Sequence, residues 1–129
     1  MNQPPLILVV DDEADFREIF GTKLRAAGFR VETAEDGVRG IDKAKKTKPD
    51  LILMDLKMPG MNGAGAVMQL KSDPTTKDIK IVFLTNFGDP RTEMQEADRH
   101  FSKEIGAADY IKKSENLDDL VDRVRVFLR

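Results

Sequence analysis

Five short apolar or alternating runs, Leu6–Val10, Arg30–Ala34, Leu51–Met54, Lys80–Thr85 and Asp109–Lys112, are separated by stretches with the spacing of amphipathic helices. Strand-helix alternation leaves little choice of architecture. Neighbouring parallel strands need a crossover long enough to hold a helix, and such crossovers are right-handed. The expected fold is therefore α/β, a doubly wound five-stranded parallel sheet with helices on both faces. Leu6-Ile7-Leu8-Val9-Val10 and Leu51-Ile52-Leu53-Met54 are apolar throughout, as strands buried on both faces must be.

The intervening helices carry their own stops. Phe16, Ile19, Phe20 and Leu24 fall on one helical face, with Gly28 placed as a C-terminal stop. Asp36 can cap a second helix with Val38, Ile41 and Ala44 inward, closed at Lys48-Pro49. A third, shorter helix follows Gly63 and stops near Asp73-Pro74. Asp89-Pro90 starts a fourth, whose stripe of Met94, Ala97, Phe101 and Ile105 ends at Gly106. The final helix, capped by Asn116 or Ser114, sets Leu117, Leu120, Val121, Val124, Phe127 and Leu128 at core spacing. His100 lies off the fourth stripe and is expected to be a solvated helix residue.

With 129 residues, no repeat and no linker composition, the expectation is a single domain over residues 1–129, its core starting near residue 5. The net charge of −2 gives no field of the size that binds nucleic acid. The first apolar run is too short for a signal-peptide core or a membrane span, and a chain with no cysteine has neither disulfides nor a thiol nucleophile. A cytoplasmic protein without membrane contact is expected.

Asp11 and Asp12 end the first run and Asp55 ends the third. If those strands are neighbours, all three carboxylates meet at one sheet edge, beyond the carboxyl ends of the strands where ligands bind in open α/β sheets. Unit charges about 5 Å apart repel by about 3 kcal/mol at an effective dielectric near 20, so the cluster calls for a cation. Oxygen donors without histidine or cysteine favour Mg²⁺ over zinc, and partly hydrated Mg²⁺ readily takes phosphoryl oxygen. A carboxylate beside such an ion can attack a phosphoryl donor and form an acyl phosphate. Thr85, ending the fourth strand, and Lys113, just beyond the fifth, could reach the same group by a hydrogen bond and as a point charge. Singly, each residue has a plainer account: a helix cap, a strand end, one of two adjacent lysines.

Taken together, Val9-Val10-Asp11-Asp12, the stretch Leu53-Met54-Asp55-Leu56-Lys57-Met58-Pro59-Gly60-Met61-Asn62-Gly63, Thr85, and Gly106-Ala107-Ala108-Asp109-Tyr110-Ile111-Lys112-Lys113 resemble the response-regulator receiver domain of two-component signalling. The resemblance spans essentially the whole chain. It implies a flavodoxin-like sheet in the order 2-1-3-4-5 and Asp55 as phosphoacceptor for a histidine kinase or phosphotransfer protein. It also implies Mg²⁺ ligation by Asp12, Asp55 and the backbone carbonyl of Lys57, with Asp11 acting largely through water. Lys113, three residues beyond Tyr110, becomes the phosphate-contacting lysine, with Lys112 pointing elsewhere. Thr85 and Tyr110 resemble the family's switch pair, which reshapes the face of the fourth helix, fifth strand and final helix for an output protein. Monomers and homodimers paired through that face are both compatible with the resemblance.

Ser114 stands where the family usually has proline, so a trans peptide or a strained loop is expected there. Asn86 replaces a usual small residue, Asn62 a common aspartate, and the Thr85 to Tyr110 segment is several residues longer than usual. These departures motivate an alternative, a degenerate receiver that serves only protein interaction or dimerisation. A phosphohydrolase using Asp55 on an external substrate is the enzyme-class alternative. It lacks a second catalytic acid shortly after Asp55 and a cap domain.

Overall fold

A computed structural model describes residues 3–56, 58, 60–61, 63–85, 107–113 and 116–129, with 107–110 as backbone. Five strands, β1 (Leu6–Val10), β2 (Arg30–Ala34), β3 (Leu51–Asp55), β4 (Lys80–Thr85) and β5 (Ala107–Lys112), form one sheet in the order β2-β1-β3-β4-β5. Every pairing is parallel. The helices among the described residues are α1 (Ala14–Ala26), α2 (Gly37–Thr47), α3 (Gly63–Ser72) and α4 (Leu117–Phe127). The expected helix after Asp89, with His100, lies outside the described residues.

Side-chain alternation splits the sheet between two cores. Leu8, Val10, Ile52, Met54, Ile81 and Phe83 pack with Ile41, Ala44, Ala66, Val67 and Leu70 of α2 and α3. Their neighbours Ile7, Val9, Leu51, Leu53, Val82, Leu84 and Ile111 pack on the other face with Phe20, Leu24, Leu120, Val121 and Val124 of α1 and α4. Burying each Val, Leu, Ile, Met or Phe side chain stabilises the fold by about 1.5–3 kcal/mol, and both layers draw on the central strands. Chain direction across the sheet reverses between β1 and β3, which fixes where their C-terminal residues meet.

Local sequence accounts for the helix ends. Gly28, at φ 101°, takes the left-handed position after α1, where its N–H donates to the Arg25 carbonyl and that of Phe29 to the Leu24 carbonyl. Asp36 Oδ1 accepts the Arg39 N–H at 2.7 Å, and Asn116 caps the last helix, accepting the Asp118 N–H at 2.7 Å.

Two apolar residues do not face inward as expected. Ile19 is 56% and Val38 63% exposed. The packed face of α1 is centred on Phe20, Gly21 and Leu24, with Gly21 beside Val31 and Thr33 of β2, so Ile19 is turned to the rim. In α2 the inward residues are Gly37, Gly40, Ile41 and Ala44, and Val38 lies about 100° around the helix from Gly37. Close approach selects these faces: a Cβ on Gly40 would sit 2.9 Å from both Val10 methyls.

The fifth strand starts two residues before the expected Asp109. Ala107 and Asp109 pair with the consecutive residues Ile81 and Val82, so Ala108 is the extra residue of a bulge. Beyond it the register sets Tyr110 opposite Phe83, Ile111 opposite Leu84 and Lys112 opposite Thr85.

Candidate functional site

The register pairing Val10 with Met54 brings the next residues, Asp11 and Asp55, out at the same level of the sheet edge. Ligand oxygens of Asp11, Asp12 and Asp55 all lie within 4.8 Å of one another. Asp11 and Asp55 are buried, whereas Asp12 is exposed, so the cluster opens to solvent on one side. Two fixed donors hold the Asp11 segment: the Glu13 N–H reaches Asp11 Oδ1 at 2.8 Å and Arg17 Nη1 reaches the Asp11 carbonyl at 2.7 Å.

Lys113 enters this cluster from the far strand. Its N–H donates to the Thr85 carbonyl at 2.8 Å, continuing the β4–β5 ladder one residue beyond β5. Its side chain, 4% exposed, brings Nζ to 2.7 Å from Asp11 Oδ2, 2.8 Å from Glu13 Oε1 and 3.8 Å from Asp55 Oδ2. Asp11 Oδ2 and the ammonium thus form a buried ion pair. The ammonium also lies 4.8 Å from the centre of the Phe16 ring, in range of a cation–π contact. Part of the positive charge demanded by three adjacent carboxylates is thus supplied by the chain itself.

Burial pushes the Asp11 carboxyl above its usual value, against the pull of Lys113 and of the Glu13 N–H. For Lys113, burial acts to lower the ammonium, but contacts with Asp11 and Glu13 outweigh it and the net direction is upward. The lysine is therefore charged at neutral pH.

Thr85 is 3% exposed at the end of β4, one residue beyond Leu84, the register partner of Asp55. Tyr110 has its backbone opposite Phe83, and its side chain is outside the described residues, as are Lys57, Pro59, Asn62, Asn86, Ser114 and the long segment after Thr85. Gly60, at φ 76°, turns the chain after β3. Gly63 then enters α3 so closely that a Cβ there would collide with the Asp55 carbonyl oxygen, while its N–H donates to the Leu56 carbonyl at 3.0 Å. The loop is thereby fastened to the backbone of the acidic residue it follows.

Carboxylate oxygens at this spacing, one of them exposed and, among the described residues, none accompanied by histidine or cysteine, suit a hard divalent ion that keeps some of its water, such as Mg²⁺. Sequence reasoning did not identify Glu13, Phe16 or Arg17 as members of the site. Phe16 was read only as core, and the one available signal for Glu13 was its place as the third acid in a row.

A doubly wound parallel sheet that gathers carboxylates and a buried lysine at its switch point defines the CheY-like class of signalling receiver. The family profile described as response regulator receiver domain matches residues 7–125, and the chain belongs to that family. It is 38% identical over 123 residues to the phosphate regulon transcriptional regulatory protein PhoB of Pseudomonas aeruginosa, covering 95% of this chain and 51% of that protein. The DNA-binding dual master transcriptional regulator RpaA of Synechocystis is 34% identical over 125 residues, covering 97% of this chain and 49% of that one. The chain therefore spans about half the length of these relatives. Among solved structures, chemotaxis protein CheY4 of Vibrio cholerae superposes with a TM-score of 0.84 at 29% identity, covering 96% of this chain and 98% of that one. No helix among the described residues is long and apolar enough to cross a membrane.

Proposed function

We propose that this receiver is a working phosphoacceptor. Asp55 takes a phosphoryl group from a phosphohistidine of a histidine kinase or phosphotransfer protein: a carboxylate oxygen bonds to phosphorus, the phosphorus–nitrogen bond breaks, and the electron pair leaves on the imidazole. Asp12, Asp55 and the Lys57 carbonyl would hold Mg²⁺, with Asp11 contributing through water. When bound, the ion offsets charge on the phosphoryl oxygens. Thr85 and Lys113 contact those oxygens, and Thr85 with Tyr110 transmits the change to the face of the segment before β5, β5 itself and α4.

The observation that supports this reading is the meeting of Lys113 with Asp11 beside Asp55, which puts a cation where a transferred anion would need one. Residues 1–129 act as a single receiver domain in the cytoplasm, as monomer or homodimer, and signal to an output protein without touching nucleic acid or membrane. The protein is a signalling module with slow hydrolysis of its own acyl phosphate, and not a turnover enzyme on small molecules.

Intact mass after incubation with a small phosphodonor and Mg²⁺ tests it. One added phosphoryl group on the wild type, absent in Asp55→Asn and after chelation, is the expected result. No gain would turn the reading to a degenerate interaction module, and multiple turnovers on generic phosphoesters would turn it to a hydrolase.

A further inference from the structure

The buried ammonium of Lys113 is shared unequally. It lies at contact distance from Asp11 and Glu13 but 3.8 Å from Asp55, beyond an ordinary hydrogen bond. A phosphoryl group on Asp55 would draw that ammonium toward itself, and closing the 3.8 Å gap lengthens its contact with one of the two nearer carboxylates. Asp11 is poorly placed to yield: it is fully buried, its other oxygen is engaged by the Glu13 N–H, and its carbonyl is engaged by Arg17. Glu13 is well placed, because its side chain is 50% exposed and water can take over the carboxylate at little cost.

We propose that Glu13 is a positioning residue, the releasable counter-ion that keeps Lys113 away from Asp55 until a phosphoryl group claims the ammonium. The inference rests on the phosphoacceptor reading and concerns the same site. Before phosphorylation the Lys113–Glu13 contact favours the resting arrangement. On phosphorylation the contact is given up and Glu13 turns to solvent, away from a second anion. A ligand shifts such an equilibrium only through its different affinity for the two arrangements, so the strength of the Glu13 contact sets how readily the site accepts phosphoryl. No bond to Glu13 is made or broken in the transfer.

The test uses beryllofluoride with Mg²⁺ as phosphoryl mimic, with its affinity measured calorimetrically on wild type, Glu13→Gln, Lys113→Met and the double variant. Glutamine keeps the shape and removes the charge. Glu13→Gln is expected to tighten binding about two- to fivefold, the scale of one part-exposed ion pair, and to do so only while Lys113 is present. An equal gain in the Lys113→Met background would assign the effect to general charge and overturn the proposal, as would no gain at all.

A second readout needs neither metal nor mimic. The Lys113 ε-methylene NMR resonance of the metal-free protein is expected to move in Glu13→Gln, and an unmoved resonance would mean that the contact is not formed. If the wild type gains a phosphoryl group on Asp55 yet Glu13→Gln binds the mimic no better, this inference alone fails. If the wild type neither gains mass nor binds beryllofluoride, both readings fall.

Discussion

Lys113, just past the last strand of the sheet, places its ammonium 2.7 Å from Asp11, which follows the first strand, and the pair sits beside Asp55 with the lysine side chain only 4% exposed. The two residues belong to strands separated by β3 and β4, so the contact closes the C-terminal edge of the sheet over the acidic cluster.

Removing that ammonium leaves buried carboxylates without their internal cation. Lys113→Met is expected to lower stability by about 1–3 kcal/mol in chelator, the cost of an uncompensated polar contact. Mg²⁺ should then restore more stability than it adds to the wild type, because it replaces a missing charge. Urea unfolding with and without Mg²⁺ measures both terms, and an equal Mg²⁺ response in the two proteins would contradict the account.

Gly63→Ala forces a Cβ against the Asp55 carbonyl, a backbone atom that cannot turn aside as a flexible side chain can. A loss of about 1–3 kcal/mol is expected. Phosphoryl uptake should fall with it, since the displaced backbone belongs to the proposed acceptor. Gly60→Ala is the contrast: nothing lies within 4 Å of its Cβ, but φ is 76°, so a smaller loss from backbone strain alone is expected. Thermal melts and mass gain on both variants separate collision from strain.

Gly40→Ala presses on the two methyls of Val10, and its cost should depend on them. In a double-mutant cycle with Val10→Ala, the pair of changes should cost less than the sum of the singles by more than about 0.5 kcal/mol. Strict additivity would show that α2 moves away bodily instead of colliding with β1.

Asp36 contributes an acid dependence to α2. The hydrogen bond from the Arg39 N–H, together with the Arg39 side chain, lowers its carboxyl below the ordinary 3.8. A lowered folded value means that the cap's contribution is complete above that ordinary value and fades as pH falls through it to the folded one. Asp36→Asn keeps a capping oxygen but does not titrate. Wild type should therefore lose melting temperature relative to Asp36→Asn as pH drops below about 4, the unfolded value, and the difference should be constant from pH 5 to 8.

The positions of β1 to β4, the Asp36 cap and the Gly28 stop were legible because their chemistry is local, resting on residues no more than a few positions apart, whereas the last helix left Asn116 and Ser114 both open as caps. The turned-out Ile19 and Val38 were not. Their helix faces are decided by Gly21 against Val31 and Gly40 against Val10, and a glycine gives no hydropathy signal for the approach it permits. Within the site, strand ends located Asp11, Asp12, Asp55, Thr85 and Lys113, because a parallel sheet brings its carboxyl ends to one edge. Glu13 escaped notice because its partner is Lys113, distant in the chain, and nothing local distinguishes a glutamate that reaches a buried lysine from one that faces water. The bulge at Ala108 was equally silent, although it sets the register that leads to Lys113.

Among the described residues β2 is the outermost strand beside β1, and its outer backbone groups have no strand neighbour. Arg30 on this strand is exposed, its Nε donating to the Pro4 carbonyl at 2.9 Å, and Glu32 is tied to Lys43 at 3.0 Å. A second sheet docking edge to edge would have to strip water from these charges, a standard protection against runaway strand addition. The β2 rim of the molecule is thereby kept from polymerising, and a partner finds no ready strand pairing on that side of the sheet.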